Sequence, residues 1–331
     1  MMRFNNAVGN PPYQDDSKGN KSYMAPIYPE LMDSAYAVAA RAILITPARF
    51  LFNAGGARKA WNRKMLNDKH LRVIHYEQDS AKVFGNTDIM GGIAITYRDE
   101  CITGDAIGIY VPNAYLRGAL HKVKKANHES VASIITPHSN FKKTPLRSDG
   151  VDTSGNKLDT NAFAVFDVFK KHKENSNDIR VLGLYKGKRT YRYIDSSHVS
   201  DVPSVYRHTV FLPKASGTDP GRILGRPLIG DYGDAHTRTF LSIGSFDNEN
   251  GARNCMKYIK TKFARAMLST LKVTQDNNRP AWKYVPLQDF TEQSDIDWTK
   301  TVHEIDQQLY EKYGLNEEEI AFIESKIKPM E

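Results

Sequence analysis

Two periods of apolar spacing alternate through the first hundred residues. Phe4 to Val8 is a short strand candidate that ends at Gly9. Pro29 opens a segment whose apolar positions Met32, Ala35, Tyr36 and Ala39 share one face at helical spacing. Ala42 to Thr46 is a continuous apolar run stopped by Pro47 and predicts a strand. Gly55-Gly56 predicts a loop, followed by a helix through Trp61 and Met65. Leu71 to Tyr76 predicts another strand, and Ile93 to Tyr97 a further one after Gly91-Gly92. Strands alternating with helices indicate an α/β domain built on a mostly parallel sheet with helices on its faces.

The pattern loosens after Asp99. Ser139 to Asp159, rich in Ser, Thr, Asp, Gly and Lys, predicts a loop. Ile179 to Leu184, Thr190 to Ile194 and Val205 to Leu212 predict short strands, and Ser216 to Asp234 a Gly/Pro/Asp-rich connection. One long helix is expected over Glu249 to Lys272, then two closing helices split at Gly314, the last started by an Asn316/Glu319 cap. The expected organisation is an α/β domain over 1–105, an α+β domain over 106–290 and an acidic helical segment over 291–331.

Composition narrows the class. A chain of 331 residues, 40% hydrophobic and 25% charged, has ordinary globular composition and room for about two domains. No apolar run approaches the ~20 residues of a membrane span. Met1 to Asn10 lacks the apolar core of a secretory signal. Cys101 and Cys255 stand far apart with no metal-ligand spacing, so two reduced thiols, no metal and a cytoplasmic location are expected. The net charge of +8 is uneven. Glu292 to Glu331 holds eleven acidic and four basic residues, leaving 42 basic and 27 acidic in the rest, a balance of +15. A basic body suggests a polyanionic partner.

The segment with chemical content is Phe4-Asn5-Asn6-Ala7-Val8-Gly9 running into Asn10-Pro11-Pro12-Tyr13. A strand, a Gly and then Asn-Pro-Pro-Tyr resembles motif IV of the amino-methyltransferases. The neighbours agree in order. Leu44-Ile45-Thr46-Pro47-Ala48-Arg49-Phe50-Leu51 resembles the strand and loop that follow it in the large methylases of restriction–modification systems. Val83-Phe84-Gly85-Asn86-Thr87-Asp88-Ile89 resembles motif VIII. The segments Val210 to Gly217, Lys257 to Arg265 and Leu309 to Leu315 are similar, at the level of a domain, to the target-recognition domain of the same adenine-N6 DNA methyltransferases. Asn5 stands where that family usually has an acidic start to the strand.

The resemblance implies the carboxyl-terminal part of a class I methyltransferase-like sheet followed by a target-recognition domain. An exocyclic purine amino group is a poor nucleophile because its lone pair is delocalised into the ring. The Asn10 side-chain oxygen and the Pro11 carbonyl would accept its two N–H bonds and free that lone pair. Pro11 and Pro12 fix the backbone so that the acceptors converge. Tyr13, with Phe84 on the opposite face, would stack an adenine swung out of the duplex. The implied donor is S-adenosylmethionine, yet the Gly-rich turn that binds it in the family is not visible in these residues. A second chain carrying the donor-binding half, or a nuclease, is the implied partner besides double-stranded DNA.

Basic clusters add candidates for DNA contact. Arg58, Lys59 and Lys64 lie on the helix expected after the Gly pair, and Lys186, Lys188, Arg189 and Arg192 interleave with tyrosines. Lys257 and Lys260 lie on the long helix. Such clusters bind phosphate without reading sequence. Two other readings stand beside the DNA enzyme: a non-catalytic DNA-recognition subunit, and a protein or RNA methyltransferase using the same tetrapeptide.

Overall fold

The computed structural model describes residues 3–14, 25–85, 87–89, 91–126, 129–137, 141, 161–199, 205–215, 223–272 and 276–330. The chain divides into two compact units, Met1–Pro112 and Asn113–Glu331. Both mix helices with sheets. No helix among the described residues is long and apolar enough to cross a membrane.

In the first unit β1 (Phe4–Gly9), β2 (Ala39–Pro47), β3 (Leu71–Glu77) and β4 (Ile93–Asp99) form one sheet in the order β1-β2-β4-β3. Helices α1 (Tyr28–Val38) and α2 (Lys59–Asn67) come between the strands. Ala39, expected on the helix, already belongs to β2. The expectation of a mostly parallel sheet is corrected. Among the described strands β1 and β2 pair parallel, whereas β4 is antiparallel to both neighbours. A parallel pair needs a long crossover, usually helical, and α1 provides one between β1 and β2. From β3 the chain returns through residues 78–92 with one short helical turn, Ser80–Lys82, so β4 runs back beside it.

This topology positions the candidate site. Two reversals leave β3 pointing the same way as β1 and β2. The carboxyl ends of these three strands and the start of β4 therefore lie on one sheet edge, where Pro47 and Glu77 both pair with Ile93. The core beneath gathers Tyr28, Met32, Leu44, Phe50, Met65 and Leu71. Asp33 on α1 ties α2 down by accepting from Trp61 Nε1 at 3.2 Å and Lys64 Nζ at 2.8 Å.

At that edge Gly92 has φ +78°, and a Cβ there would lie 2.3 Å from the Glu77 carbonyl oxygen. Only glycine suits this close backbone approach. Gly92→Ala is expected to lower unfolding stability by at least about 1–3 kcal/mol. An unchanged urea midpoint would contradict the register at the β3–β4 edge.

In the second unit β6 (Asp178–Tyr185) and β7 (Lys188–Asp195) form a hairpin, with β10 (Asp234–His236) parallel to β6. A separate sheet has the order β5 (Ile135–Thr136), β11 (Phe240–Phe246), β8 (His208–Pro213), β9 (Leu228–Gly230). Helix α3 (Ala114–Lys125) opens the unit, and neither it nor β11 was expected. The loop expected over Ser139 to Asp159 lies outside the described residues except Phe141, as do Asn86, Ser216 and Gly217.

The single helix expected over Glu249 to Lys272 is also corrected. The chain forms α4 (Glu249–Lys260) and α5 (Lys262–Ser269), broken at Thr261. Thr261 is extended, with φ −60° and ψ 150°, and its hydroxyl accepts from Ala264 N. The next two amides, of Lys262 and Phe263, donate to buried Asp306 at 2.9 and 2.8 Å. Two caps at one place make a helix start there in spite of the continuous apolar face. Burial pushes the Asp306 carboxyl up to about 6, against the lowering effect of those two amides.

Asp306 lies on α6 (Val302–Lys312), which precedes α7 (Glu317–Lys326). The Asn316/Glu319 cap forms as a reciprocal capping box. These acidic helices are tied into the unit by Lys122–Glu319 at 2.8 Å and Lys262–Glu324 at 2.5 Å.

Candidate active site

Strand β1 ends at Gly9 and delivers Asn10, Pro11, Pro12 and Tyr13 to the sheet edge described above. Tyr13 and Gln14 are anchored immediately before α1. Ile27 N donates to the Tyr13 carbonyl at 3.1 Å, and Gln14 bridges Pro26. The tetrapeptide is thus pinned at both ends, by β1 and by the approach to α1. Among the described residues the Pro11 carbonyl accepts no hydrogen bond, and the Asn10 side chain turns donor character towards the Tyr13 hydroxyl, so that no donor faces its oxygen. Two acceptors of the kind that an amino group needs stay available on a fixed backbone.

Tyr13 is half-buried, and its hydroxyl oxygen is shielded from solvent without a hydrogen-bond partner. Burial raises its proton affinity, and the adjacent Asn10 side chain opposes that rise.

Phe84 is carried on the link between β3 and β4. Ser80 organises this loop. Its hydroxyl donates to Thr87 O at 2.9 Å and accepts from Ile89 N at 2.8 Å, while Phe84 N donates to Ser80 O at 2.8 Å. Phe84 is partly exposed. Its loop springs from the same edge as Asn10, three strand spacings away, which is about 14 Å at ~4.8 Å each.

One residue at this edge was read from the sequence only as part of a loop. Arg49 follows β2, and a Cβ on Gly55 or Gly91 would meet it at 3.1 or 2.7 Å. Both glycines have positive φ, +84° and +91°. Two tight turns therefore close on one arginine. Gly91 lies far from Arg49 in sequence, so only the fold brings the two together.

The glycines do not form a donor cradle. Gly55 and Gly91 open onto Arg49, Gly92 onto the Glu77–Gln78 backbone and Gly244 onto Phe246. At these four turns the space left by the missing Cβ is filled by protein atoms, so none of the four fits S-adenosylmethionine.

The candidate DNA-contacting residues fall into three groups. Arg58 and Lys59 are exposed at the start of α2, whereas Lys64 is paired with Asp33. Lys186, Lys188, Arg189 and Arg192 come together on the β6–β7 hairpin. Its tip has positive φ at Lys186 (49°) and Gly187 (75°), which suits a tight two-residue turn. The Tyr185 ring lies 5.6 Å from Lys186 Nζ and 5.2 Å from Arg192 Cζ. On α4, Lys257 turns inward and donates to the Trp298 and Lys300 carbonyls at 2.6 and 3.1 Å. It anchors the carboxyl-terminal segment, whereas Lys260 stays partly exposed.

Residues 1–84 match the family model described as Eco57I restriction-modification methylase. That stretch, about a quarter of the chain, runs from β1 to Phe84 and includes Asn10 to Tyr13. No curated protein matches. Among solved structures, the type IIG restriction endonuclease BpuSI is similar at 9% identity and a TM-score of 0.33, over 80% of this chain and 42% of that one. The type IIL restriction-modification enzyme MmeI, solved in complex with DNA, is similar at 11% identity and a TM-score of 0.32, over 97% and 56%. The chain spans about half the length of these two proteins.

Proposed function

We propose that this chain holds the flipped base and binds the target for an adenine-N6 DNA methyltransferase of a restriction–modification system. The observation that carries the reading is the pinned Asn10-Pro11-Pro12-Tyr13 segment with both acceptors unengaged, inside the residues that match a restriction-modification methylase. The Asn10 oxygen and Pro11 carbonyl accept from the adenine amino group and localise its lone pair. Tyr13 packs on one face of the extruded base, with Phe84 offered from the far side of the edge. No side chain has to titrate, because positioned dipoles do the work. Residues 1–84 of the first unit match the family model, and the second unit, with its basic hairpin, is the DNA-recognition part.

Donor binding belongs to residues outside this sequence, on the same polypeptide or another chain. Strand β1 supports this. It is an edge strand, and its Phe4 and Val8 side chains are 58% and 78% exposed. Both side chains stand on the same face, so among the described strands β1 offers an uncovered apolar face as well as an open edge, which favours further structure against it. The filled glycine turns also favour a second reading, a DNA-recognition subunit without catalysis.

The chain alone is expected to give no saturable heat with S-adenosylmethionine at micromolar concentrations in a calorimetric titration. Joined to a donor-binding half, it should place labelled methyl on adenine N6, read by mass spectrometry of digested nucleosides. Micromolar donor binding by the chain alone would overturn the division of labour. Label on cytosine or on protein would overturn the adenine reading. Tight DNA binding with no methylation would leave the recognition subunit.

A further inference from the structure

Three cations from three different elements meet in the second unit. Arg189 lies on β7, exposed Arg226 lies two residues before β9, and Lys260 ends α4. Arg189 Nη2 donates to the Arg226 carbonyl oxygen at 2.8 Å, and the Arg189 guanidinium lies 5.9 Å from the Phe240 ring centroid. Its planar fork is therefore held by one hydrogen bond and one ring. Burial first, and the Arg226 charge second, lower the proton affinities of both Arg189 and Lys260. Arg226 acts electrostatically on both, and α4, which Lys260 ends, packs against β9, which begins two residues beyond Arg226.

None of the three has a carboxylate partner among the described residues. Several other basic residues of the unit do: Arg180 pairs with Asp234 and Asp231, Arg207 with Asp247, and Lys262 with Glu324. Gathering like charges without compensation costs stability, and an anion seated among them offsets that cost. A guanidinium fork matches two phosphate oxygens, whereas an ammonium serves as a point charge beside it. The cluster begins one residue beyond Lys188, so it continues the basic tip of the hairpin.

We infer that Arg226, together with Arg189 and Lys260, seats a phosphodiester of the duplex backbone and fixes the position of the β6–β7 hairpin on DNA. Such a contact sets register and carries no sequence information of its own. The inference rests on the reading of this chain as a DNA-binding protein and adds Arg226, which no sequence feature had marked.

The test measures binding of a fluorescein-labelled duplex to the full chain across a potassium chloride series. Arg226→Gln keeps the backbone carbonyl that Arg189 uses, so the fold and the hairpin should be retained. Its affinity is expected to fall about 10-fold or more, the scale of a lost charged hydrogen bond. The slope of log affinity against log salt should become shallower by about 0.9, the contribution of one phosphate. Arg226→Lys should recover most of the slope. If the wild-type chain binds with a steep slope and Arg226→Gln leaves slope and affinity intact, this inference fails while the DNA reading stands. If wild-type binding is flat with salt, the DNA reading fails and this inference with it. Inorganic phosphate at matched ionic strength should compete no better than chloride. Strong competition by free phosphate, with the DNA slope unaltered in Arg226→Gln, would make the cluster a small-anion site and overturn the inference.

Discussion

Asn10→Ala is expected to lower adenine methylation by at least about 100-fold, the usual cost of one pre-organised polar group at a reacting centre. The assay pairs the chain with a donor-binding half, and duplex affinity should change little. The asymmetry follows from where Asn10 sits. It follows β1 on the sheet edge, its side chain is exposed, and its polar neighbour is the Tyr13 hydroxyl. Removing the amide therefore breaks no buried structural contact, and thermal stability should hold. The acceptor acts on the amino group as its charge develops, so its contribution grows towards the transition state. Duplex affinity comes from phosphate contacts elsewhere. Asn10→Asp provides a second comparison. It keeps an acceptor in place, so it should retain more activity than the Ala variant. Near-normal turnover in Asn10→Ala would reduce Asn-Pro-Pro-Tyr to a turn and remove the adenine reading. A fall in DNA affinity matching the fall in rate would place Asn10 in binding instead.

The elements that sequence periodicity marked best are those whose burial is decided locally. Strands β1, β2, β3 and β4 fall within a few residues of their expected places, because each holds a cluster of apolar residues bounded by Gly, Pro or a polar turn. The direction of β4 was not legible. Strand sense depends on whether the preceding link can hold a crossover helix, and the Ser80-centred loop forms only a single turn. Between Glu249 and Lys272 the apolar face is continuous, so periodicity reads through Thr261. The break depends on Asp306, 45 residues away on α6, capping the second helix. The site itself divides along the same line. Asn10 to Tyr13 is legible as a local motif. The cluster of Arg189, Arg226 and Lys260 is not, since its members come from a hairpin, a loop and a helix end that only the tertiary fold unites. Lys64 and Lys257 show the converse. They read as surface cations, and the fold engages them with Asp33 and with two backbone carbonyls.

Tyr13 separates holding the base from reacting with it. Tyr13→Ala removes a stacking face worth about 1–3 kcal/mol, so base extrusion should weaken by roughly 10- to 100-fold before chemistry is reached. Tyr13→Phe should differ in kind. The hydroxyl is shielded from water and lacks a hydrogen-bond partner, a state that ordinarily costs a buried polar group about 1–3 kcal/mol. Removing it keeps the ring and relieves that cost. Tyr13→Phe is therefore expected to match or exceed the parent in thermal stability while keeping most of the turnover. Tyr13→Trp should retain activity only in part, because the position is already half-buried and a larger ring must be fitted there. Fluorescence of 2-aminopurine at the target position reports extrusion independently of methyl transfer. Tyr13→Ala should lose that signal, whereas Asn10→Ala should keep it. If Tyr13→Phe lost turnover as fully as Tyr13→Ala, the hydroxyl and not the ring would be the working part, and stacking could not be the role of this residue.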